Sequence, residues 1–303
     1  MMNEWGRLWV IATVGRAVLV ASGAAQGAPI TFDTALPVGR GEFIWREQVI
    51  SREREADGLM DPEVSATALA NVLGYGVTGK LALFGVIPYF FERELEATTP
   101  MGRITRDTEG FGDLTLFGRY TAYQYDRLGS TFRIAPTLGV KAPTGDDDDR
   151  DAFGELPRAL QVGTGAWDGF AGIVGTYQTL EYQTDAQLLY RVNGEDEGFS
   201  PGDEVRLDAS LQYRLWPREL KTGVPAFVYG VLETNLSHRE RDEVGGRTNP
   251  DSGGTQWFIT PGLQYVGRRW VLEAAVQLPA VQDLHGDALE DEYIVNAGFR
   301  FNF

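Results

Sequence analysis

Apolar and polar positions alternate along this chain with a period of two, most plainly over its last eleven residues. Tyr293, Val295, Ala297, Phe299, Phe301 and Phe303 share one face, while Asn296, Gly298, Arg300 and Asn302 share the other, which is the geometry of a β-strand. Similar segments fall at about 41–53, 64–77, 80–94, 110–125, 130–143, 160–179, 181–192, 203–215, 224–238, 254–266 and 269–281, so the pattern predicts about twelve strands. Beyond the first 28 residues no apolar run suits a membrane helix, which needs roughly 18 or more such residues.

The polar positions inside these strands carry charge at constant parity. Within 203–215, Val205, Leu207, Ala209, Leu211, Tyr213 and Leu215 oppose Arg206, Asp208, Ser210, Gln212 and Arg214. Within 181–192, Tyr182, Ala186, Leu188, Tyr190 and Val192 oppose Gln183, Asp185, Gln187 and Arg191; within 130–143, Phe132, Ile134, Leu138 and Val140 oppose Arg133, Thr137 and Lys141. Within 269–281, Trp270, Leu272, Ala274, Val276 and Leu278 oppose Glu273 and Gln277. A soluble sandwich and a membrane barrel share this alternation, one burying its apolar face and the other turning it to lipid. Strand length separates them. Many segments exceed ten residues, whereas soluble strands average about five or six and a tilted membrane strand needs about ten.

The connections alternate too. Thr78 with Gly79, Asp126 to Gly129, Leu180 with Glu181, and Gly267 with Arg268 read as tight turns, and Pro217 to Gly223 as a short link. Between them lie longer polar links at 54–63, 95–109, 144–159, 193–202, 239–253 and 282–289. Outer-membrane barrels alternate short periplasmic turns with longer extracellular loops, which puts both termini in the periplasm. Trp45, Trp167, Trp216, Trp257 and Trp270 fall near strand ends, as aromatic belts at the lipid headgroups do. The fold expected is all-β: a closed antiparallel transmembrane barrel over residues 29–303, in a bacterial outer membrane.

Residues 1–28 read as a signal peptide. Arg7 precedes an apolar stretch interrupted by Arg16, and small residues follow through Ala28, with cleavage expected between Ala25 and Ala28. The chain has no cysteine, so its fold does not rely on disulfides. Its net charge of −16 opposes nucleic acid as a partner. The partners left are membrane lipid, lipopolysaccharide and a small-molecule solute, with the oligomeric state open.

Several motifs resemble the MetA-pathway phenol-degradation family of outer-membrane transporters. They are Gly110-Phe-Gly-Asp-Leu-Thr-Leu-Phe-Gly-Arg-Tyr120, Leu138-Gly-Val-Lys-Ala-Pro-Thr-Gly145, Leu160-Gln-Val-Gly-Thr-Gly-Ala-Trp-Asp168, Ser252-Gly-Gly, Pro261-Gly-Leu-Gln-Tyr265 and Val276-Gln-Leu-Pro279. The resemblance covers most of the chain after the signal segment. It implies passage of small molecules across the outer membrane, often in association with the breakdown of aromatic compounds.

Asp113 lies on the inward parity with Thr115 and Arg119, opposite Leu114, Leu116 and Tyr120. A direct Asp113–Arg119 bond does not suit their separation along one strand; partners on neighbouring strands do. The lumen-lining candidates are therefore Asp113, Arg119, Arg133, Lys141, Asp185, Arg191, Arg206, Asp208, Arg214, Glu273 and Arg300. They serve either as a polar network that fills the barrel or as contacts to solute. Inward Asp113, Asp185, Asp208 and Glu273, with the overall negative charge, suggest a mild cation preference, moderated by the inward Arg and Lys. Asp146, Asp147, Asp148, Asp149 and Asp151 in the link after strand five are candidate Ca²⁺ ligands, since calcium takes six to eight oxygens. The alternative is a solvated acidic loop. No other cofactor is indicated.

An enzyme reading needs a nucleophile with an oriented base. The chain's two histidines, His238 and His285, lie near outer strand ends; Ser237 alternates away from His238, and Asp251 and Ser252 lie in a loop. A non-enzymatic barrel is expected. The function read from the sequence is an outer-membrane channel for small solutes, with aromatic or poorly soluble compounds implied by the resemblance. Residues 29–40 or inward side chains are expected to constrict the lumen, because twelve strands enclose less space than a general porin. The alternative is a structural or partner-binding barrel in a larger export or electron-transfer assembly, favoured if packed charges fill the lumen.

Overall fold

The computed structural model describes residues 27–56, 62–99, 102–220 and 226–303. Residues 1–26 of the expected signal peptide lie outside the described residues, and the expected cleavage between Ala25 and Ala28 falls at their edge. Twelve strands build the barrel: β1 Phe43–Glu55, β2 Glu63–Gly76, β3 Leu81–Thr99, a segmented β4, β5 Ser130–Ala142, β6 Asp168–Thr179, β7 Tyr182–Val192, β8 Glu204–Trp216, β9 Phe227–Arg239, β10 Gly254–Val266, β11 Trp270–Leu284 and β12 Glu290–Asn302. The segments of β4 are Gly102–Phe111, Leu114–Tyr120 and Tyr123–Arg127. Each strand pairs antiparallel with its neighbours in chain order. β12 returns to β1, with Phe301 opposite Trp45 and Val295 opposite Ser51, and this closes the sheet. Closure is what lets the strands cross lipid, because it leaves no row of backbone N–H and C=O groups without partners.

Most barrel strands have about thirteen residues, and at roughly 3.3 Å per residue and about 45° tilt they span some 30 Å. The apolar parity faces outward: Leu138 is 70% exposed, and Leu207, Leu211, Leu232, Leu263 and Leu272 are also exposed. The polar parity faces inward, where Asp208, Gln212 and Thr260 have no exposed surface. This inversion of a soluble protein is the arrangement of a chain solvated by lipid.

The strand bounds depart from the periodic reading at three places. The link expected at 95–109 is mostly strand: β3 runs to Thr99 and β4 resumes at Gly102. Charged residues on both sides of this extension hide the period of two. The strand expected at 160–179 starts only at Asp168, because 157–167 folds as a compact loop with Leu160, Gln161 and Val162 buried. Its alternating small and apolar residues imitate a strand. The single strand expected at 110–125 is broken by loop 143–167, which enters the wall at Gly112. A Cβ on Gly145 would stand 2.9 Å from the Cα atoms of both Gly112 and Gly163, so these three backbones meet where a side chain has no space.

Beyond the rim that carries the long loops, Phe199 and Ser200 pair with Glu243 and Val244, which pair with Arg247 and Thr248. Two loops far apart in sequence thus form one small sheet. Asp242 ties it down by accepting from the Gly202 N–H at 3.0 Å.

Candidate functional site: the lumen and its internal segment

Residues 27–39 run through the lumen, where no strand ladder is available to satisfy their backbone. Wall side chains do so instead, as any buried peptide group requires. The Glu233 carboxylate on β9 accepts from the Ile30 N–H at 2.6 Å, the Thr31 N–H at 3.0 Å and the Thr31 hydroxyl. The Ile30 carbonyl accepts from Arg46 at 2.6 Å and Gln48 at 2.9 Å, both on β1. Gln264 on β10 donates to the Ala28 carbonyl at 2.6 Å. On the other side, Thr176 on β6 accepts from the Ala35 N–H at 2.8 Å, while Thr34 donates to Asp185 on β7 at 2.9 Å. Arg119 on β4 pairs with Asp33 and donates to the Leu36 carbonyl at 2.7 Å.

Apolar residues lock the same segment. Ile30, with no exposed surface, packs with Val231 and Ala275; Ala35 packs with Ala135 and Val174; Val38 packs with Ala82 and Phe84. Apart from Phe84, the wall positions are small or branched residues on the polar parity, so the lumen is shaped for this segment as well as charged for it. A constriction by residues 29–40 was legible from length and strand number; these partners were not. Glu233, Gln264 and Arg46 were missed, although each shares parity with an inward polar neighbour.

Asp113 occupies the gap between the first two segments of β4. It accepts from the N–H groups of Thr144, Gly145 and Thr164 at 3.0 Å each, and lies 3.2 Å from Lys141. Lys141 also pairs with Asp168 at 2.6 Å. Asp113 therefore anchors loop 143–167 and does not line an open path. Arg119 gives its hydrogen bonds to the internal segment, while its guanidinium lies over the Phe84 ring of β3, 4.8 Å from the centroid. Asp208 receives Arg206 at 3.2 Å and Asn235 at 2.9 Å, and Glu273 pairs with Arg46 at 2.6 Å and accepts from Gln264 at 2.9 Å. Arg214 donates to the Leu180 carbonyl at 2.6 Å, and Arg191 sits 5.9 Å from the Phe170 ring centroid. Nearer the rim that carries the long loops, Arg52, Gln256 and Gln282 bond to buried Asp291, a network the sequence did not single out.

The acidic run after β5 is dispersed among separate partners. Asp151 takes a two-point contact from Arg106 at 2.7 and 2.8 Å, which holds its carboxyl below the usual range. Asp149 accepts from Thr108 at 3.1 Å, and Asp147 lies 3.8 Å from Arg158. Burial and then the neighbouring Asp196 charge push the Asp147 carboxyl up. Among the described residues no three His, Cys, Asp or Glu side chains come together to hold a metal ion. Arg106 and Thr108 already take oxygens of Asp151 and Asp149, so these two carboxylates are turned to separate partners. His238 meets Thr255 at 2.9 Å, and the Ser252 hydroxyl donates to the Asn249 carbonyl and accepts from the Asp242 N–H.

Beside the internal segment, towards the turns that join β2 to β3 and β4 to β5, lies a cavity of about 350 Å³. Arg46, Arg119, Arg133 and Arg300 line it against two carboxylates, Asp33 and Glu42. The lining of this part of the lumen carries an excess of positive charge, which the chain's overall charge does not report. Net charge averages over loops that never face the path.

The fold matches those of known outer-membrane barrels. The COG4313 outer membrane channel from Pseudomonas putida F1 superposes with a TM-score of 0.61 at 15% identity, covering 92% of this chain and 100% of that one. The transport unit of the autotransporter AIDA-I from Escherichia coli gives 0.46 at 13% identity, covering 87% and 90%, too distant to carry an argument. No curated protein sequence matches the chain. A family model described as "Putative MetA-pathway of phenol degradation" matches residues 56–278, which span β2 to β11, and the chain belongs to that family.

Proposed function

We propose that this protein is a bacterial outer-membrane channel for small solutes, closed at rest by its own residues 27–39. The observation that carries the reading is how that segment is held. Its backbone is bonded to side chains of β1, β4, β6, β9 and β10, with Thr34 bonded through its hydroxyl to β7, and not to a strand ladder, so it can leave without unpairing the barrel. A twelve-stranded wall with the segment displaced leaves a narrow aqueous path, suited to small molecules. Family membership supports aromatic or poorly soluble compounds as the solutes, and Phe84 and Phe117 supply a compatible surface.

Single-channel recording in planar bilayers tests this. The intact protein is expected to open rarely and with small conductance, whereas a variant lacking residues 27–38 conducts several-fold more. Glu233→Ala should raise the open fraction, because two backbone N–H groups of the segment lose their acceptor at about 1–3 kcal/mol each. The filled lumen also supports a second reading, a structural or partner-binding barrel. Silence of both variants in folded form would select it.

Both termini in the periplasm are part of the proposal. The long loops 143–167 and 240–253 then lie outside the cell and the short β2–β3 turn inside. Epitope tags at 152–154 or 245–246 should be labelled on intact cells, and a tag at Thr78 and Gly79 only after permeabilisation. The reverse pattern would invert the barrel.

A further inference from the structure

We infer that the cavity beside the internal segment is a binding site for small aromatic carboxylates, with Arg133 receiving the carboxylate; this deepens the channel reading and rests on it. The cavity's volume of about 350 Å³ falls at the lower end of the roughly 300–1,000 Å³ of small-molecule sites. Its apolar wall is formed by Phe84 and Phe117, stacked at 4.7 Å and 12°, with Ile44 and Val72 packed alongside. The Arg119 guanidinium already stands over the Phe84 ring, 4.8 Å from its centroid, so an added aromatic ring meets the remaining aromatic surface edge-on or offset, at about 4.5–7 Å between centroids.

The charged wall has a division of labour. Arg46 is committed to Glu273 and the Ile30 carbonyl, and Arg119 to Asp33 and the Leu36 carbonyl. Arg133 is different. Among the described residues it makes no hydrogen bond or ion pair, and its Nε is buried without an acceptor. Asp126, exposed in the last segment of β4, acts on it only through longer-range attraction. A buried guanidinium N–H that lacks an acceptor is costly, so the position is built for a group not supplied by the chain. A carboxylate fits best, because its two oxygens match the planar fork of a guanidinium. Arg300 lines the same cavity and adds to the favourable field. An aromatic ring carrying one carboxylate satisfies both walls together. A neutral phenol satisfies only the apolar one.

Titration calorimetry of the full chain in detergent, with benzoate, benzyl alcohol and acetate at pH 7, tests the assignment. Benzoate is expected to bind at least tenfold more tightly than either analogue. Arg133→Gln should weaken benzoate at least tenfold and leave benzyl alcohol unchanged, while Arg133→Lys keeps part of the preference. Phe117→Leu should weaken benzoate and benzyl alcohol alike. Equal binding of benzoate and benzyl alcohol by the intact protein would overturn the proposal, and that comparison needs no variant to fold. So would an unchanged benzoate affinity in Arg133→Gln that still migrates as a folded barrel. Conductance separates this from the channel reading. Benzoate binding without conductance in the opened variants removes the channel and leaves the site, and conductance without a benzoate preference does the opposite.

Discussion

Joining the internal segment to the wall by a Thr34→Cys/Thr176→Cys disulfide should abolish conductance, and reducing the bond should restore it to above the level of the unmodified protein. The two hydroxyl oxygens lie 3.0 Å apart, so the side chains already face each other at a separation that a disulfide of about 2.05 Å can bridge. The chain has no cysteine of its own, so the engineered bond has no competitor. In the oxidised state the segment cannot leave, whatever its other contacts do. In the reduced state it is held more loosely than in the native protein. Both threonine hydroxyls have gone, and with them their bonds to Asp185 and the one Thr176 receives from the Ala35 N–H. Each such bond contributes about 0.5–1.5 kcal/mol net, and more when it involves a charged group. The two redox states should therefore move conductance in opposite directions from the native value. Planar-bilayer recording before and after a reductant measures this. An oxidised variant that conducts like the reduced one would mean that solute bypasses the segment.

The second large effect concerns the outer face. Leu211→Arg should destabilise the barrel by about 2–4 kcal/mol, the cost of a cation on the lipid face near the midplane. Leu211 lies past the middle of β8 with its side chain 43% exposed and flanked by Leu207 and Leu215 on the same parity. An arginine there has lipid for its solvent. The control is the same charge on the other face. Gln187→Arg on β7 stands opposite Asp208, whose Oδ2 is buried without a partner. Arg206 holds the other oxygen, so that substitution gives the unpartnered one a cation of its own and should be neutral or stabilising. Denaturant unfolding of both variants folded into lipid vesicles compares them directly. Equal losses would show that the two faces share one solvent, which a membrane barrel does not allow. Gln212 is a poor control, because it is fully buried beside Asp185 and Ser210 and an arginine would overfill its space.

Asp113 shows how far a motif can be read without the fold. Its inward parity and its need for a partner on another strand were legible, and Lys141 on β5 is such a partner. Its larger task was not, because the N–H groups of Thr144, Gly145 and Thr164 come from a loop whose path no local pattern encodes. The loop residues Leu160 to Val162 misled the periodic reading for the same reason. Burial inside a folded loop selects apolar residues just as a lipid face does.

What the chain determines by itself is the wall. A period of two sustained over ten or more residues, with charge confined to one parity, leaves a closed barrel as the arrangement that satisfies every backbone group in lipid. Local geometry suffices for this, since each strand's faces are set by its own alternation. The tertiary structure alone decided what fills the lumen. Glu233, Arg46 and Gln264 look like any inward polar residues in sequence, and only closure of the barrel brings them to residues 28–31, more than two hundred positions away for two of them. The same closure collects Arg133, Phe84 and Phe117 around one cavity. Charge and shape inside a barrel depend on which strands face each other across the lumen, and that is a property of the closed sheet, not of any strand within it.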